Sequence, residues 1–301
     1  MSRILVIRGG ALGDFVLTLP AIRLLREGFP SAQLEVLGYK HLVALAEMSG
    51  YADAARSIEY AGLAGFFSDA GELSPELVEY FGGFQQIVSY LFDPDQVFSN
   101  NLKRAGVRNF LAGSPHLTGR EHAARQLARP LESLALYLQD PAAVIVPNEK
   151  RTVNPMLLAI HPGSGSESKN WPLQRFQDLI SAFLAEKEER RILIVGGEAD
   201  EARLAELTRA LSTEKIEFAC NLALPELAGR LQNCACYLGH DSGVSHLAAA
   251  VGVPSLLLFG PTDPAVWAPA NKQVKVLRAP CLTMTGIGLA DVLVSLGEIM
   301  S

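Results

Sequence analysis

The chain has 301 residues, of which 49% are hydrophobic and 19% are charged, so two α/β domains of about 150 residues with large buried cores are expected. The formal net charge of −6 argues against a nucleic-acid-binding protein, because phosphate contacts usually require a basic surface. No apolar run reaches the ~20 residues of a membrane span, and the N-terminus is typical of a strand rather than of a signal peptide.

The first strand and turn of the chain place an aspartate at the start of a helix. Residues 3–8 form an apolar strand, residues 9–14 a glycine-rich turn, and residues 15–26 carry apolar side chains at helical spacing. Asp14 lies at the junction, where capping the helix is the ordinary role of an aspartate. The turn lacks the full Gly-x-Gly-x-x-Gly dinucleotide pattern, so it does not identify a site by itself. Further strands and helices are predicted at 33–38, 40–48, 54–59, 75–81, 85–90, 102–105, 107–110 and, as a long helix, 120–139.

A Ser/Gly loop with one lysine opens the second half of the chain. Prolines and charges at 140–155 indicate a linker, and an apolar strand at 157–161 follows. The strand runs into the loop 162–172, which contains Lys169, and a helix is predicted at 173–187. Such a loop suits a phosphate clamp, because the lysine supplies a point charge and the loop supplies hydroxyl and N–H donors. A solvated surface loop with a chance lysine is the alternative.

The most informative segment is a parallel crossover unit near the C-terminus. A buried strand at 234–238 leads into Asp241-Ser242-Gly243, a small-residue helix and a second buried strand at 254–259. Ser242 can cap this helix, and Gly243 allows an anion to approach the first free N–H groups. This pattern predicts diphosphate binding at the carboxyl ends of the strands. A strand at 192–195 and helices at 199–211, 225–233 and 288–300 complete the alternation expected of two doubly wound sheets.

Three segments together resemble glycosyltransferase family nine, the ADP-heptose:lipopolysaccharide heptosyltransferases. They are Arg8–Ala21, His161–Pro172 and Asp241–Pro264, and their order and spacing also match. The resemblance implies an α/β protein of the GT-B fold, in which two Rossmann-like, doubly wound domains face a central cleft. Residues 1–150 would form the N-terminal acceptor-binding domain and residues 151–301 the C-terminal nucleotide-sugar-binding domain. Packing of the last helix back onto the N-terminal domain is left open.

The same resemblance implies the site residues. Asp14 matches the catalytic base, and Lys169 matches the lysine that contacts the phosphate and the leaving group. Asp241 is negative, so it is expected to orient its loop or to bind a sugar hydroxyl. Glu198 and Asp200 are alternatives for a ribose contact, and both also fit an acidic helix start. The full set implied to bind the nucleotide sugar is Gly13, Ser164, Lys169, Glu198, Asp200, Leu222, Asp241, Ser242, Gly243 and His246, the last with a core histidine as its alternative.

The implied function is an inverting transfer of a heptose or related sugar from a nucleotide-diphosphate sugar, with ADP-heptose favoured. The acceptor would be a lipopolysaccharide-core or similar glycan, free or lipid-linked. No cofactor, metal ion or nucleic-acid partner is expected; Asp93-Pro94-Asp95 has metal-site spacing, but its proline favours a turn. We expect a cytoplasmic monomer, and peripheral contact with the inner membrane is left open. The alternatives are a nucleotide-sugar epimerase of the same architecture and a non-catalytic nucleotide-sugar-binding protein.

Overall fold

The computed structural model describes residues 2–69, 71–211 and 214–301. It divides into two compact units, Met1–Pro141 and Ala142–Ser301. The division falls at the start of the predicted linker and ahead of the predicted boundary at residue 150.

Residues 142–150 belong to the second unit because hydrogen bonds attach them to it. The Ile145 N–H donates to the Ala250 carbonyl at 2.9 Å. The Gln232 side chain donates to the Glu149 carbonyl at 3.1 Å. This part of the predicted linker therefore belongs to the structure of the second unit.

The first unit, within its described residues, is built on a five-stranded parallel sheet. Its strands are β1 (Arg3–Arg8), β2 (Gln33–Gly38), β3 (Ala54–Ser57), β4 (Gln86–Ser89) and β5 (Phe110–Ala112). Its helices are α1 (Leu12–Gly28), α2 (Lys40–Met48), α3 (Pro75–Gly82), α4 (Val97–Arg104) and α5 (Ala123–Ala128). The strand order is β3-β2-β1-β4-β5, so β1 is central. Its apolar run is buried, as expected for a parallel strand covered on both faces.

The second unit has a six-stranded parallel sheet among its described residues. Its strands are β6 (Asn154–Ile160), β7 (Arg191–Gly196), β8 (Ile216–Cys220), β9 (Cys234–His240), β10 (Ser255–Phe259) and β11 (Val274–Arg278). Its helices are α6 (Leu173–Glu186), α7 (Glu201–Ala210), α8 (Leu224–Leu231), α9 (Gly243–Ala250), α10 (Pro264–Trp267) and α11 (Leu289–Met300). The strand order β11-β10-β9-β6-β7-β8 reverses direction beside β6 and β9, where doubly wound sheets bind their ligands.

The predicted long helix at 120–139 is wrong. The α-helix ends at Ala128, and a 3-10 turn follows over Arg129–Leu134. Pro130 has no N–H to donate, and its ring clashes with the carbonyl four residues earlier in an α-helix. Ala135 then adopts a left-handed φ of 59°, which ends the turn.

The sequence analysis missed the two edge strands of the second sheet, β8 and β11. Each edge strand pairs with one neighbour only and is partly exposed, so it does not need a continuous apolar run. Charged residues inside them, Glu217 and Lys275, interrupt the apolar pattern that revealed the central strands.

The last helix packs into the second unit. Val292 and Leu296 of α11 are buried in a core cluster with residues of β6, β9 and β10. The buried apolar face of this helix is therefore used within its own unit, and its packing on the N-terminal domain stays a prediction. Within the described residues, no helix has the length and hydropathy needed to cross a bilayer.

Candidate active site

The predicted site residues follow the strands of both sheets. Because all the strands of a sheet are parallel, the loops that follow them gather at its carboxyl edge. Gly13 and Asp14 follow β1 in the first unit. The others lie in the second unit: Ser164 and Lys169 follow β6, Glu198 and Asp200 follow β7, Leu222 follows β8, and Asp241, Ser242, Gly243 and His246 follow β9.

Asp14 presents a partly exposed carboxylate in the first turn of α1. Its Oδ2 accepts a hydrogen bond from the Ala11 N–H at 3.1 Å, which is the capping role expected at this position. Its Oδ1 lies 3.5 Å from the Arg8 guanidinium. The side chain is 38% exposed, so the carboxylate is held at two points and is still accessible to solvent. The neighbouring Gly13 is partly buried in the same turn.

Arg8 is a residue that the sequence analysis did not single out. Its side chain is only 2% exposed, and its Nη1 donates to the Tyr90 carbonyl at 3.5 Å. Burial lowers the pKa of the guanidinium, whereas the Asp14 carboxylate and Tyr90 act in the opposite direction. The signal in the sequence was its place as the last residue of β1, where a side chain reaches the carboxyl edge of the sheet.

Lys169 and Asp241 form an ion pair across two loops of the second unit. The Lys169 Nζ donates to Asp241 Oδ2 at 2.8 Å. The Lys169 side chain is 29% exposed, whereas that of Asp241 is 10% exposed. The more buried Asp241 therefore balances the charge of Lys169. The lysine side chain is partly exposed, so an anion from solvent can also bind it.

The helix start at Ser242 has the predicted cap. The Ser242 Oγ accepts a hydrogen bond from the Ser245 N–H at 3.4 Å and lies 3.1 Å from the Ser245 Oγ. α9 begins at Gly243, and the first N–H groups of a helix have no acceptor within the helix. Because the Ser242 hydroxyl is engaged in the cap, the main-chain N–H groups of Gly243 and Val244 are better placed to bind an anion.

A buried histidine joins the β7 and β9 loops. The His161 Nδ1 lies 3.3 Å from the Ser242 Oγ, and its Nε2 lies 3.1 Å from Asp200 Oδ2. The same oxygen of Asp200 accepts the Gly197 N–H at 2.9 Å. Burial opposes ionisation of Asp200, but the hydrogen bonds from His161 and Gly197 outweigh it and lower the pKa of the carboxyl.

This arrangement favours Glu198 over Asp200, the two alternatives that the sequence left open for the ribose contact. The Asp200 side chain is buried and hydrogen-bonded inside the fold, so it does not suit a ribose contact. A Cβ at Gly163 would overlap its carboxylate, which explains the glycine at that position. Glu198 is exposed in the 3-10 turn that follows β7 and stays the acidic candidate for the ribose.

A second buried histidine fixes the loop that carries Lys169. His240 Nε2 accepts the Trp171 N–H at 3.0 Å, and its Nδ1 lies 3.1 Å from the Gly163 carbonyl. A neutral ring with its proton on Nδ1 satisfies both contacts. Burial lowers the pKa of His240 to about 3, so it is neutral at physiological pH. His161 and His240 were both missed as site residues, because only the fold brings the loops together around them.

The remaining predicted residues differ in their environments. The Ser164 Oγ donates to the Ser166 carbonyl at 2.8 Å, which shapes the loop locally. Leu222 is half-buried just after β8 and follows Asn221, whose φ is 54°. His246 is buried in the first turns of α9, in agreement with the core-histidine alternative.

Comparison with known proteins gives a consistent family match. The model of the family described as glycosyltransferase family 9 (heptosyltransferase) matches residues 113–285, more than half of the chain. Lipopolysaccharide heptosyltransferase 3 of Escherichia coli is 23% identical over 290 residues, which cover 87% of this chain and 83% of that protein. Lipooligosaccharide heptosyltransferase 2 of Haemophilus influenzae is 31% identical over 115 residues. That match covers 37% of this chain and spans only 33% of the Haemophilus protein.

A solved structure shows the same fold over the whole chain. The E. coli heptosyltransferase WaaC with ADP superposes with a TM-score of 0.76 at 17% sequence identity, covering 99% of each chain. The predicted fold class, two Rossmann-like α/β units of the GT-B type, is therefore confirmed.

Proposed function

We propose that this chain, which belongs to glycosyltransferase family 9, transfers a heptose from a nucleotide-diphosphate sugar to a lipopolysaccharide-core or similar glycan. The observation that carries the proposal is the Lys169–Asp241 pair beside the N-terminus of α9. A partly exposed ammonium group and the first N–H groups of a helix are two features that stabilise a departing diphosphate.

The donor is proposed to be ADP-heptose. Its diphosphate would lie on the N–H groups of Gly243 and Val244 and on Lys169. Glu198, exposed after β7, would bind the ribose hydroxyls, and the loop at Leu222 would contact the base. The choice of ADP is supported by the WaaC structure of the same fold, which holds ADP.

Asp14 is proposed as the general base of an inverting displacement. The acceptor hydroxyl gives its proton to the Asp14 carboxylate as its oxygen attacks the anomeric carbon of the donor. The bond from that carbon to the diphosphate oxygen breaks, and the released negative charge is stabilised by Lys169 and the α9 N–H groups. Configuration at the anomeric carbon is inverted because the transfer takes one step.

A cavity in the first unit suits the acceptor. It has a volume of about 610 Å3 and lies at the carboxyl ends of β4 and β5. Lys103 and Arg108 supply positive charge, and the exposed ring of Phe92, in edge contact with His116, supplies an aromatic surface. Leu91 lines the cavity, and its side chain also lies beside Gly9 in the turn that precedes Asp14.

The donor can be tested by thermal unfolding with ADP-, GDP- and UDP-sugars, since a ligand that binds only the folded state raises Tm. ADP-heptose should raise Tm most and should be consumed with a lipopolysaccharide inner-core acceptor. A preference for another nucleotide, or release of an isomerised sugar without acceptor, would overturn the proposal. Glycoside stereochemistry by NMR tests inversion.

The remaining features of the proposal have direct assays. No cofactor or metal ion takes part, so turnover should survive EDTA treatment unchanged. The enzyme is proposed to act in the cytoplasm as a monomer, which light scattering after gel filtration tests. A lipid-linked acceptor would bring it to the inner membrane face, and sedimentation with acceptor-bearing vesicles tests that contact.

A further inference from the structure

We propose that Arg8 is a positioning residue for Asp14: its buried guanidinium holds the carboxylate in one orientation for proton transfer. This inference rests on the proposed role of Asp14 as general base. It assigns a function to a buried charge that neither the donor site nor the acceptor cavity uses.

The geometry places Arg8 behind the carboxylate. Arg8 Nη2 lies 3.5 Å from Asp14 Oδ1, while the Ala11 N–H binds the other oxygen. On its other side the guanidinium faces the Tyr90 carbonyl and lies 5.9 Å from the centre of the Tyr90 ring. The carboxylate is therefore held from two directions and keeps an exposed side for a hydroxyl.

The guanidinium of Arg8 makes fewer and longer hydrogen bonds than a purely structural buried arginine would need. Burying a guanidinium is costly unless its donors are satisfied. Its Nε is buried and has no hydrogen-bond partner among the described residues, and its two polar contacts are both 3.5 Å long.

Arg26 in the same unit shows what a structural arginine has here. It donates to the Tyr51 carbonyl at 3.0 Å and to the Ala32 carbonyl at 2.8 Å, and it also binds the Asp53 carboxylate. Arg8 lacks such a set of short bonds, so its buried charge acts mainly on Asp14.

The consequence for catalysis concerns the geometry of proton transfer. A general base must lie within hydrogen-bond reach of the proton that it takes, and the Arg8 guanidinium and the Ala11 N–H together fix where the Asp14 oxygens lie. Loss of the Arg8 contact should therefore slow turnover. Binding of the donor should change little, because the proposed donor residues lie in the second unit.

The test compares Arg8→Met, which keeps length without charge, with Arg8→Lys, which keeps the charge. Arg8→Met should lower kcat by about 10-fold or more and leave KM for the nucleotide sugar within about twofold. Arg8→Lys should restore most of the rate.

Arg3→Met is the matched control. Arg3 lies at the other end of β1, where it pairs with Glu35 at 3.4 Å and covers the Phe84 ring. Its loss should leave kcat unchanged. An Arg8→Met enzyme with the wild-type kcat would overturn the inference, as would an Arg3→Met enzyme with the same defect.

Two further measurements separate positioning from folding. In an Asp14→Asn background, Arg8→Met should cost no additional rate, because no carboxylate is left to hold; an equal loss in both backgrounds overturns the inference. A crystal structure of Arg8→Met needs no turnover and should show the Asp14 carboxylate in more than one orientation, as should that of Arg8→Gln if the methionine variant does not fold. A carboxylate that keeps its wild-type orientation overturns the role of Arg8, whereas a wild-type enzyme inactive with every donor overturns the proposed function and leaves this structure to decide the effect of Arg8.

Discussion

The two units present opposite charges at the carboxyl edges of their sheets. In the first unit the cation is buried and the carboxylate is exposed: Arg8 is 2% exposed and Asp14 is 38% exposed. In the second unit the order is reversed, since Asp241 is 10% exposed and Lys169 is 29% exposed. Each pair therefore leaves one charge accessible and uses the other to fix it, and the accessible charge is a carboxylate in the first unit and an ammonium group in the second.

Substitution of the exposed carboxylate in the first unit should have the largest effect on activity. Asp14→Asn should lower kcat by about 10³-fold, because it removes the proton acceptor while keeping the size of the side chain. Steady-state kinetics and donor titration check this, and donor affinity should be retained.

Asp53→Asn is the control for that substitution. Like Asp14, Asp53 pairs with an arginine, Arg26, and accepts a main-chain N–H, that of Leu34. It lies at the opposite end of the sheet. It should keep near-wild-type kcat if folded. Wild-type turnover by Asp14→Asn would remove Asp14 from the base role.

The exposed cation gives the next largest effect. Lys169→Met should weaken donor binding by about 10- to 100-fold and lower kcat, since the diphosphate loses a charged partner and Asp241 is left uncompensated. Calorimetric titration with the nucleotide sugar measures the affinity. Lys275→Met removes a surface Lys–Glu pair with Glu298 in the same unit and should not change it. Equal affinities in Lys169→Met and wild type would exclude the clamp.

The scaffold of the second unit can be tested in the Lys169 loop. Gly163→Ala places a methyl group against the buried Asp200 carboxylate and should lower the free energy of unfolding by about 1–3 kcal/mol. Gly165→Ala is the matched control in the same loop, because a Cβ there meets nothing within 4 Å. Urea unfolding of the two variants checks the difference, and equal stabilities would contradict the packing described for Gly163.

The smallest effect is a pH dependence of stability from His240. The unfolded chain binds a proton near the ordinary histidine pKa of 6.5, whereas burial lowers the folded pKa to about 3. Acidification from pH 6.5 towards 3 therefore favours the unfolded state, by up to about 1.4 kcal/mol per pH unit. Between pH 7 and 5 the wild type should lose about 2 kcal/mol more than His240→Gln, measured by urea unfolding at both values. The lowered pKa of Asp200 changes the stability only near and below the ordinary aspartate value of 3.8, so it does not contribute between pH 7 and 5. Equal pH dependence in both proteins would show that His240 is not held neutral.

Continuous apolar runs made the central strands predictable. β1, β9 and β10 are buried on both faces, so their sequences are nearly continuous apolar runs. The edge strands β8 and β11 were not predicted, because each is partly exposed and can therefore contain charged residues. Pro130 is a local signal for the early end of the predicted long helix, whereas the apolar spacing around it favours a continuous helix.

The candidate site divides in the same way. The place of Asp14 at a helix start, the polar loop that carries Lys169 and the Ser242 cap were predictable, because each is a local turn, loop or helix start. His161, His240 and the buried state of Asp200 were not, because each depends on a partner far away in sequence. The Asp200–His161 and His240–Trp171 contacts join residues 39 and 69 positions apart.

The sequence by itself determined the alternation of strands and helices, the family to which the chain belongs, and the polar loops that follow the strands, since these features depend on periodicity and on short motifs. Only the tertiary structure decided which member of each charge pair is buried and which residues brace the loops. The reason is that exposure and hydrogen-bond partners are set by segments that the sheet brings together, and the desolvation of Arg8, Asp200 and His240 arises only once those segments are packed.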